Sequence, residues 1–425
     1  MNSIGTKLFA LFLTWGILSN CIASAQVYME KQSRHRFAQL TLGLDLLSTH
    51  GGSSRYQNAQ MQTLSQSWSA GNVPRFMIGG THFWGHAHFA LSIPLVNPSK
   101  RQAELRYLYY TGIETAFQYY PWRIQSKRVR PFLGISFLNA GYQQATGTEP
   151  QAKGAYKEMV LFPVQTGLCY AQGPHHLEFG LSYNYQHQQR YALSKQLHDK
   201  LQLAPWTFRV SYRYNLETTL SAEKSWENGK SQLAAAQLAK AGKLNNFFLG
   251  IGLSSAFQLR NSPLNVEHYP WLERFPTPLM PDMSLGYYWH EPDMQLVLNY
   301  RFYRSKQSGY GIRQQIKRNS LGLELTKCLG DYHGFVPFLG PLLSMDMLAF
   351  EAFQNDVPDV QAQDTKLAFG LSFGWDIRPN RIQSWLLRTN LRWYPKLQLG
   401  TERGKVDFSS LEFNFIQLVL FPGRF

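Results

Sequence analysis

The sequence predicts an all-β fold, a transmembrane antiparallel β-barrel of about sixteen strands. Three observations lead there: apolar and polar residues alternate with period two along most of the chain, long and short connections take turns, and charge is scarce. Aromatic residues make up 15% of the 425 residues and charged residues 16%, against about 25% charged in ordinary globular chains. Mean hydropathy is −0.30, and no run beyond the N-terminus approaches the roughly 20 apolar residues of a spanning helix. A helical membrane protein is thereby excluded.

The first element is not structural. "MNSIGTKLFALFLTWGILSNCIASAQ" carries Lys7, an apolar run from Leu8 to Leu18, and a small-x-small site at Ala23-Ser24-Ala25. This is a secretory signal peptide over 1–25, cleaved after Ala25. Lipid attachment at Cys21 competes poorly, because Asn20 stands where a small residue is needed. Cys169 and Cys328 then remain, and their separation shows no disulfide pattern; unpaired, half-buried thiols are expected.

Strands follow in order. "FAQLTLGLDLL" puts Leu40, Leu42, Leu44 and Leu46 on one face and Gln39, Thr41 and Asp45 on the other. "HAHFALSIPL", "LEFGLSYNY", "WTFRVSYRYN" and "WLLRTNLRWY" repeat the pattern. Candidate strands fall near 36–47, 75–84, 86–95, 104–120, 130–143, 158–171, 176–187 and 204–215. Eight more fall near 246–258, 281–290, 293–303, 317–328, 335–350, 366–376, 384–394 and 409–421. Gaps after odd strands are long, as in "STHGGSSRYQNAQMQTLSQSWSAGNV" and "QNDVPDVQAQD"; gaps after even strands are short, as in "GPHH" and "EPD". Long loops on one side and short turns on the other, with both termini on the short side, distinguish a membrane barrel from a soluble sandwich.

An internal repeat runs through the chain. Gly112-Ile113-Glu114 answers Gly322-Leu323-Glu324, and Pro131-Phe132-Leu133-Gly134 answers Pro337-Phe338-Leu339-Gly340. Residues 26–215 and 246–425 read as two eight-strand halves in tandem. Between them, 216–245 holds "SAEKSWENGKSQLAAAQLAKAG", a helix over 221–241 that Ser221 can cap and Gly242 can close. It is expected to be a periplasmic linker, with a plug in the barrel mouth as the alternative. One sixteen-strand barrel is favoured over two eight-strand barrels because the chain bears one terminal signal; the helical linker argues the other way.

"GIETAFQYYPW…RVRPFLGISF", "GLCYAQGPHHLEFGLSYNY" and "SLGYYWHEPDMQLVLNYRFY" resemble hairpins of Gram-negative outer-membrane β-barrel proteins, and the likeness spans nearly the whole mature chain. Phe413, Phe415, Val419, Phe421 and Phe425 resemble the C-terminal insertion signal of that class, and the shared parity of Phe413, Phe415, Val419 and Phe421 is expected to face lipid, with Glu412 and Asn414 on the lumen side. The resemblance implies an outer-membrane location and contact with the barrel-assembly machinery during insertion. It transfers no catalytic residue and no cofactor.

Function is read from the inward parity, which carries Glu114, Glu178, Glu324 and Glu412 with Arg209, Arg213, Arg301, Arg388 and Arg392. Strand order sets Glu178 beside Arg209 and Arg213, Glu324 beside Arg301, and Glu412 beside Arg388 and Arg392. These groups either pair and fill the barrel or leave surplus arginine to favour anions in a pore. A passive pore for small solutes is the leading expectation, and a structural or interaction barrel with partner-binding loops is the alternative. Net charge of +15 is scattered and answers the phosphates of lipopolysaccharide or an anionic solute better than nucleic acid. A lipid hydrolase ranks last. His82, His86 and His88 cluster near a turn, yet no serine sits in a recognisable nucleophile context and nothing completes a metal set. The chain is not expected to be an enzyme.

Overall fold

The computed structural model describes residues 38–424, apart from 50, 59, 69–70, 97–99, 103–104, 147–151, 218–229, 332–333 and 379–383. The signal segment, Ser221 and Phe425 lie outside the described residues.

Sixteen strands build the membrane body. The first eight are β1 (Ala38–Thr49), β2 (Gly71–His82), β3 (Ala87–Pro94), β4 (Leu105–Tyr119), β5 (Arg128–Ala145), β6 (Val164–Gln172), β7 (His175–Tyr183) and β8 (Trp206–Glu217). The second eight are β9 (Asn246–Gln258), β10 (Leu279–Trp289), β11 (Met294–Gly309), β12 (Ile312–Cys328), β13 (Phe335–Gln354), β14 (Val357–Ile377), β15 (Trp385–Tyr394) and β16 (Ser410–Leu420). Each element overlaps a stretch where the alternation had placed a strand, but the one expected near 158–171 divides into β6 and a separate short strand, Lys157–Leu161.

The pairing corrects the preference for one large barrel. β8 pairs with β1, from Gln39 opposite Glu217 to Thr49 opposite Thr207, and β4 with β5 closes the first ring. β9 pairs with β16 and closes the second. The fold is therefore two eight-strand antiparallel barrels in tandem. Eight strands enclose an interior just wide enough for side chains to fill, which is what the many large inward residues require. Between the barrels, α1 (Lys230–Lys240) ends at Gly242, whose φ of 67° suits the left-handed cap. Leu233 on α1 is 59% exposed, so this helix is not buried in either mouth.

Outward strand positions are apolar and exposed. On β14, Leu367, Phe369, Leu371 and Phe373 follow one another on that face; on β9, Phe247, Leu249, Ile251 and Leu253 do. Such a surface is stable against lipid and not against water.

Several connections expected as long loops are paired strands instead. The segment after β1 forms a hairpin of Gly52–Gln57 with Thr63–Trp68, and the segment after β7 one of Gln188–Ala192 with His198–Gln202. "QNDVPDVQAQD" is no loop: β13 and β14 run on through it to a two-residue turn at Asn355-Asp356. Both turn residues have positive φ, as a type I′ hairpin needs.

The barrels stand side by side. Leu91 of β3 packs with Phe413 and Phe415 of the second barrel, joined by Phe89, Ile93, Phe257 and Leu391. Phe137 of β5 meets Phe257 edge-to-face at 4.7 Å, and Phe89 meets Trp375 at 6.0 Å. Above this apolar contact lies a polar clasp. Glu158 accepts from the backbone N–H and the hydroxyl of Thr277, at 2.7 and 2.8 Å. Lys157 reaches Glu273 at 2.5 Å. Tyr310 donates its hydroxyl to the Ala192 carbonyl at 2.9 Å and its N–H to the Lys153 carbonyl at 2.8 Å.

Candidate functional site

The interiors of the two barrels hold every inward charge that the sequence singled out, and they hold more. In the first barrel, Arg75 forms a two-toothed pair with Asp45, Nε to Oδ1 at 2.5 Å and Nη2 to Oδ2 at 3.0 Å. Its Nη1 donates to Glu114 at 2.6 Å. Arg209 lies 3.5 Å from Glu114 and donates to Gln165, which in turn donates to Glu114 at 2.8 Å. Nearer the periplasmic end, Glu178 accepts from Arg213 at 2.8 Å and from Gln118 at 2.7 Å. Arg213 also donates to His88 Nδ1, to the Tyr120 hydroxyl and to Cys169 Sγ.

In the second barrel, Arg392 joins Asp282 at 2.5 Å and Glu324 at 2.6 Å. Glu412 accepts from Arg301 and, at 2.6 Å, from Arg318. Arg318 also holds Asp346 at 2.8 Å. Arg388 grips Asp376 through two nitrogens at 2.8 and 3.0 Å and donates to Gln295 at 2.6 Å. Arg378 lies 3.8 Å from Asp376.

The predicted neighbours are only partly the observed partners. Glu178 does meet Arg209 and Arg213. Glu324, however, pairs with Arg392 rather than Arg301, and Glu412 pairs across the lumen with Arg301 and Arg318 rather than with Arg388 or Arg392. In a barrel this narrow, long guanidinium side chains reach the opposite wall, so strand adjacency does not decide pairing.

The surplus of arginine also disappears. Asp45, Glu114 and Glu178 face Arg75, Arg209 and Arg213 in the first barrel. Asp282, Glu324, Asp346, Asp376 and Glu412 face Arg301, Arg318, Arg378, Arg388 and Arg392 in the second. Asp45 had been placed on the polar face but not counted among the charges, and Arg75, Asp282, Arg318, Asp346, Asp376 and Arg378 were missed because they stand near strand ends or outside the motifs first counted. Parity had the signal: Arg318 lies six residues before Glu324 on one strand face.

Both ends are filled as well, the periplasmic end of the first barrel by Tyr120, Ile124 and Phe132. Trp68, Tyr107, Tyr142, Tyr191, Leu201 and Leu203 cluster at the extracellular mouth of the first barrel. The cavity beneath them measures about 20 Å³, room for water at most. Leu264, Tyr269, Leu272, Phe275, Phe350 and Phe408 roof the second barrel, and Phe248, Tyr288, Val419 and Phe421 fill its periplasmic end.

That last cluster corrects the reading of the closing strand. A β-bulge at Phe415 shifts the register, so Asn414 faces Ser254 while Ile416 faces Leu253. Val419 and Phe421 consequently turn inward, and Ile416, Leu418 and Leu420 take the outward positions. Phe413 points outward but toward the first barrel, where it is 9% exposed. The histidine cluster divides too: His88 faces the lumen, and His86 Nδ1 lies 2.8 Å from the Tyr120 carbonyl. Cys169 and Cys328 are free and fully buried, one in each barrel.

Closed antiparallel barrels with an apolar exterior and an ion-paired interior define the class: integral outer-membrane β-barrel proteins. Among solved structures, the chain is similar to neisserial surface protein A, at 16% identity over 41% of this chain and 96% of that one, with a TM-score of 0.29. It is similar to the attachment invasion locus protein of Yersinia pestis, at 11% identity over 42% of this chain and 97% of that one, with a TM-score of 0.27. An outer membrane channel from Pseudomonas putida F1 aligns over 92% of this chain and 97% of its own, at 9% identity and a TM-score of 0.21. Scores this low do not bear on function, and the class rests on the geometry above. No protein-family model matches the chain, and no curated protein matches it.

Proposed function

We propose that the chain is a sealed tandem barrel that acts at its extracellular surface, as a structural or interaction protein rather than a passive solute pore. One observation carries this reading: each lumen is crossed by a closed set of ion pairs, with side chains at 0–4% exposure. Ions passing through would have to break buried pairs worth several kcal/mol each. The extracellular hairpins support it too, since they pack into roofs and leave their outer faces as the accessible surface of the protein. No enzymatic activity is proposed.

The test is conductance. Purified full-length protein in planar bilayers is expected to give no steady current above the lipid baseline in concentrated potassium chloride. Reproducible single-channel steps would restore the pore reading.

A further inference from the structure

Arg213 is the hub of the periplasmic half of the first lumen, and one of its partners is a histidine. Its Nη1 lies 2.8 Å from His88 Nδ1. A guanidinium only donates, so Nδ1 carries the lone pair and His88 is neutral, with its proton on Nε2. That Nε2 has no partner, and neither nitrogen of His176 has one. Both rings are 1% exposed. His176 stands directly opposite Arg213 in the register of β7 and β8.

The groups around His88 supply no spare negative charge. Thr81 of β2 and Gln118 of β4 flank it in the register. Tyr120 follows β4, Cys169 comes from β6, His176 and Glu178 from β7, and Arg209 and Arg213 from β8. Glu178 is already shared by Arg213, Arg209 and Gln118, while Arg75 holds Asp45 and Glu114 further up the bore. A second acceptor is nonetheless within reach of His88. Gln118 Oε1 lies 3.2 Å from Nδ1, and it accepts from Arg213 and from the Tyr120 hydroxyl, each at 3.1 Å.

We propose that His88 is an acid-operated latch on the periplasmic floor of the first barrel. A proton arriving at Nδ1 removes the lone pair that Arg213 uses and sets two cations against each other in a poorly solvated interior. The new N–H turns to Gln118 Oε1 and competes there with Arg213 and Tyr120. Arg213 also donates to the Tyr120 hydroxyl at 2.9 Å and to Cys169 Sγ at 3.3 Å. Its retreat therefore loosens Tyr120, which fills the floor with Ile124 and Phe132. The second barrel lacks the device: among the described residues, His268 and His290 are exposed and stand outside its lumen. Acid opens one floor and leaves the other shut. The latch is independent of what the extracellular surface binds.

The experiment labels buried thiols. Full-length protein in phosphatidylcholine vesicles is treated with a membrane-permeant dithiodipyridine, which reacts with thiols in acid as well as at neutrality. The reaction is run at about pH 7.5 and about pH 4.5, either side of the ordinary imidazole value. Cys169 lies in the floor that opens and Cys328 in the second barrel. The ratio of their labelling, read by mass spectrometry of peptides, therefore cancels the effect of pH on the reagent. In wild-type protein the ratio of Cys169 to Cys328 is expected to rise on the order of tenfold in acid. His88→Gln can still accept from Arg213 but cannot take up a proton. This variant, with unchanged heat-modifiable mobility on gels, is expected to hold the neutral ratio at both pH values. An unchanged ratio in wild-type protein overturns the proposal whether or not the variant folds. So does a rise of the same size in the folded variant.

Discussion

Glu412 accepts hydrogen bonds from two buried arginines, Arg301 and Arg318, whereas Glu273 meets Lys157 with its own side chain 35% exposed to solvent. Their substitutions should separate cleanly. Glu412→Gln leaves two guanidiniums short of a counter-charge and is expected to cost about 3–5 kcal/mol. Glu273→Gln should cost no more than about 1 kcal/mol. Urea titration of the refolded protein in lipid, followed by tryptophan fluorescence, compares them, and equal midpoint shifts would argue against a buried network. The residue scale is also where sequence reading succeeded least. Glu412 was legible as an inward residue because its strand alternates, but its partners sit across a lumen whose width no alternation reveals. Val419 and Phe421 were assigned to the lipid side because a bulge at Phe415 leaves no mark in a run of aromatic and aliphatic residues.

At the scale of elements, the clasp between the barrels is held by Glu158, a carboxylate on the short strand Lys157–Leu161 above the membrane. Burial raises its pKa above the usual 4.5, against the opposing hydrogen bonds from Thr277 and Asn139. The folded state thus holds this proton more tightly than the unfolded chain does. The resulting stabilisation is full below the unfolded pKa and lost as pH rises through the folded one. The inter-barrel contact should therefore strengthen on acidification toward pH 4.5, and Glu158→Gln should remove the dependence in that window. Urea midpoints measured across the pH range in both proteins check this; a variant with an undiminished slope would place the titrating group elsewhere. The same clasp explains Gly309, where an added Cβ would come within 2.6 Å of the Ala155 backbone. Gly309→Val is expected to loosen the two halves from each other, seen as faster trypsin cleavage at the extracellular loops. All sixteen strands were legible because each alternates. The extracellular hairpins were not, since polar strands that pair above the membrane read as loops when only the lipid-facing pattern is sought.

For the whole molecule, the repeat was visible and its consequence was not. Glu114 on the fourth strand of the first barrel and Glu324 on the fourth of the second occupy matching inward places. Around them the arginines differ: Arg75 and Arg209 in one, Arg392 in the other. The duplicated unit kept its fold while each copy rebuilt its interior. Which ring β8 closes depends on non-local pairing, and the motif repeats are silent on it. Because each ring closes on itself, a protease site engineered between 218 and 229 should yield two fragments that each keep heat-modifiable mobility after cleavage. Collapse of both on cutting would favour a shared ring.

The first and last strands of the second barrel meet at β9 and β16, and the extracellular half of that junction lies against Leu91, Phe89 and Phe137. A ring that shuts against a finished protein wall has a template, so the two closures should be ordered in time. Pulse-labelled chains are expected to acquire protease resistance in the N-terminal half before the C-terminal half. Resistance appearing in both together would mean that neither ring waits for the other.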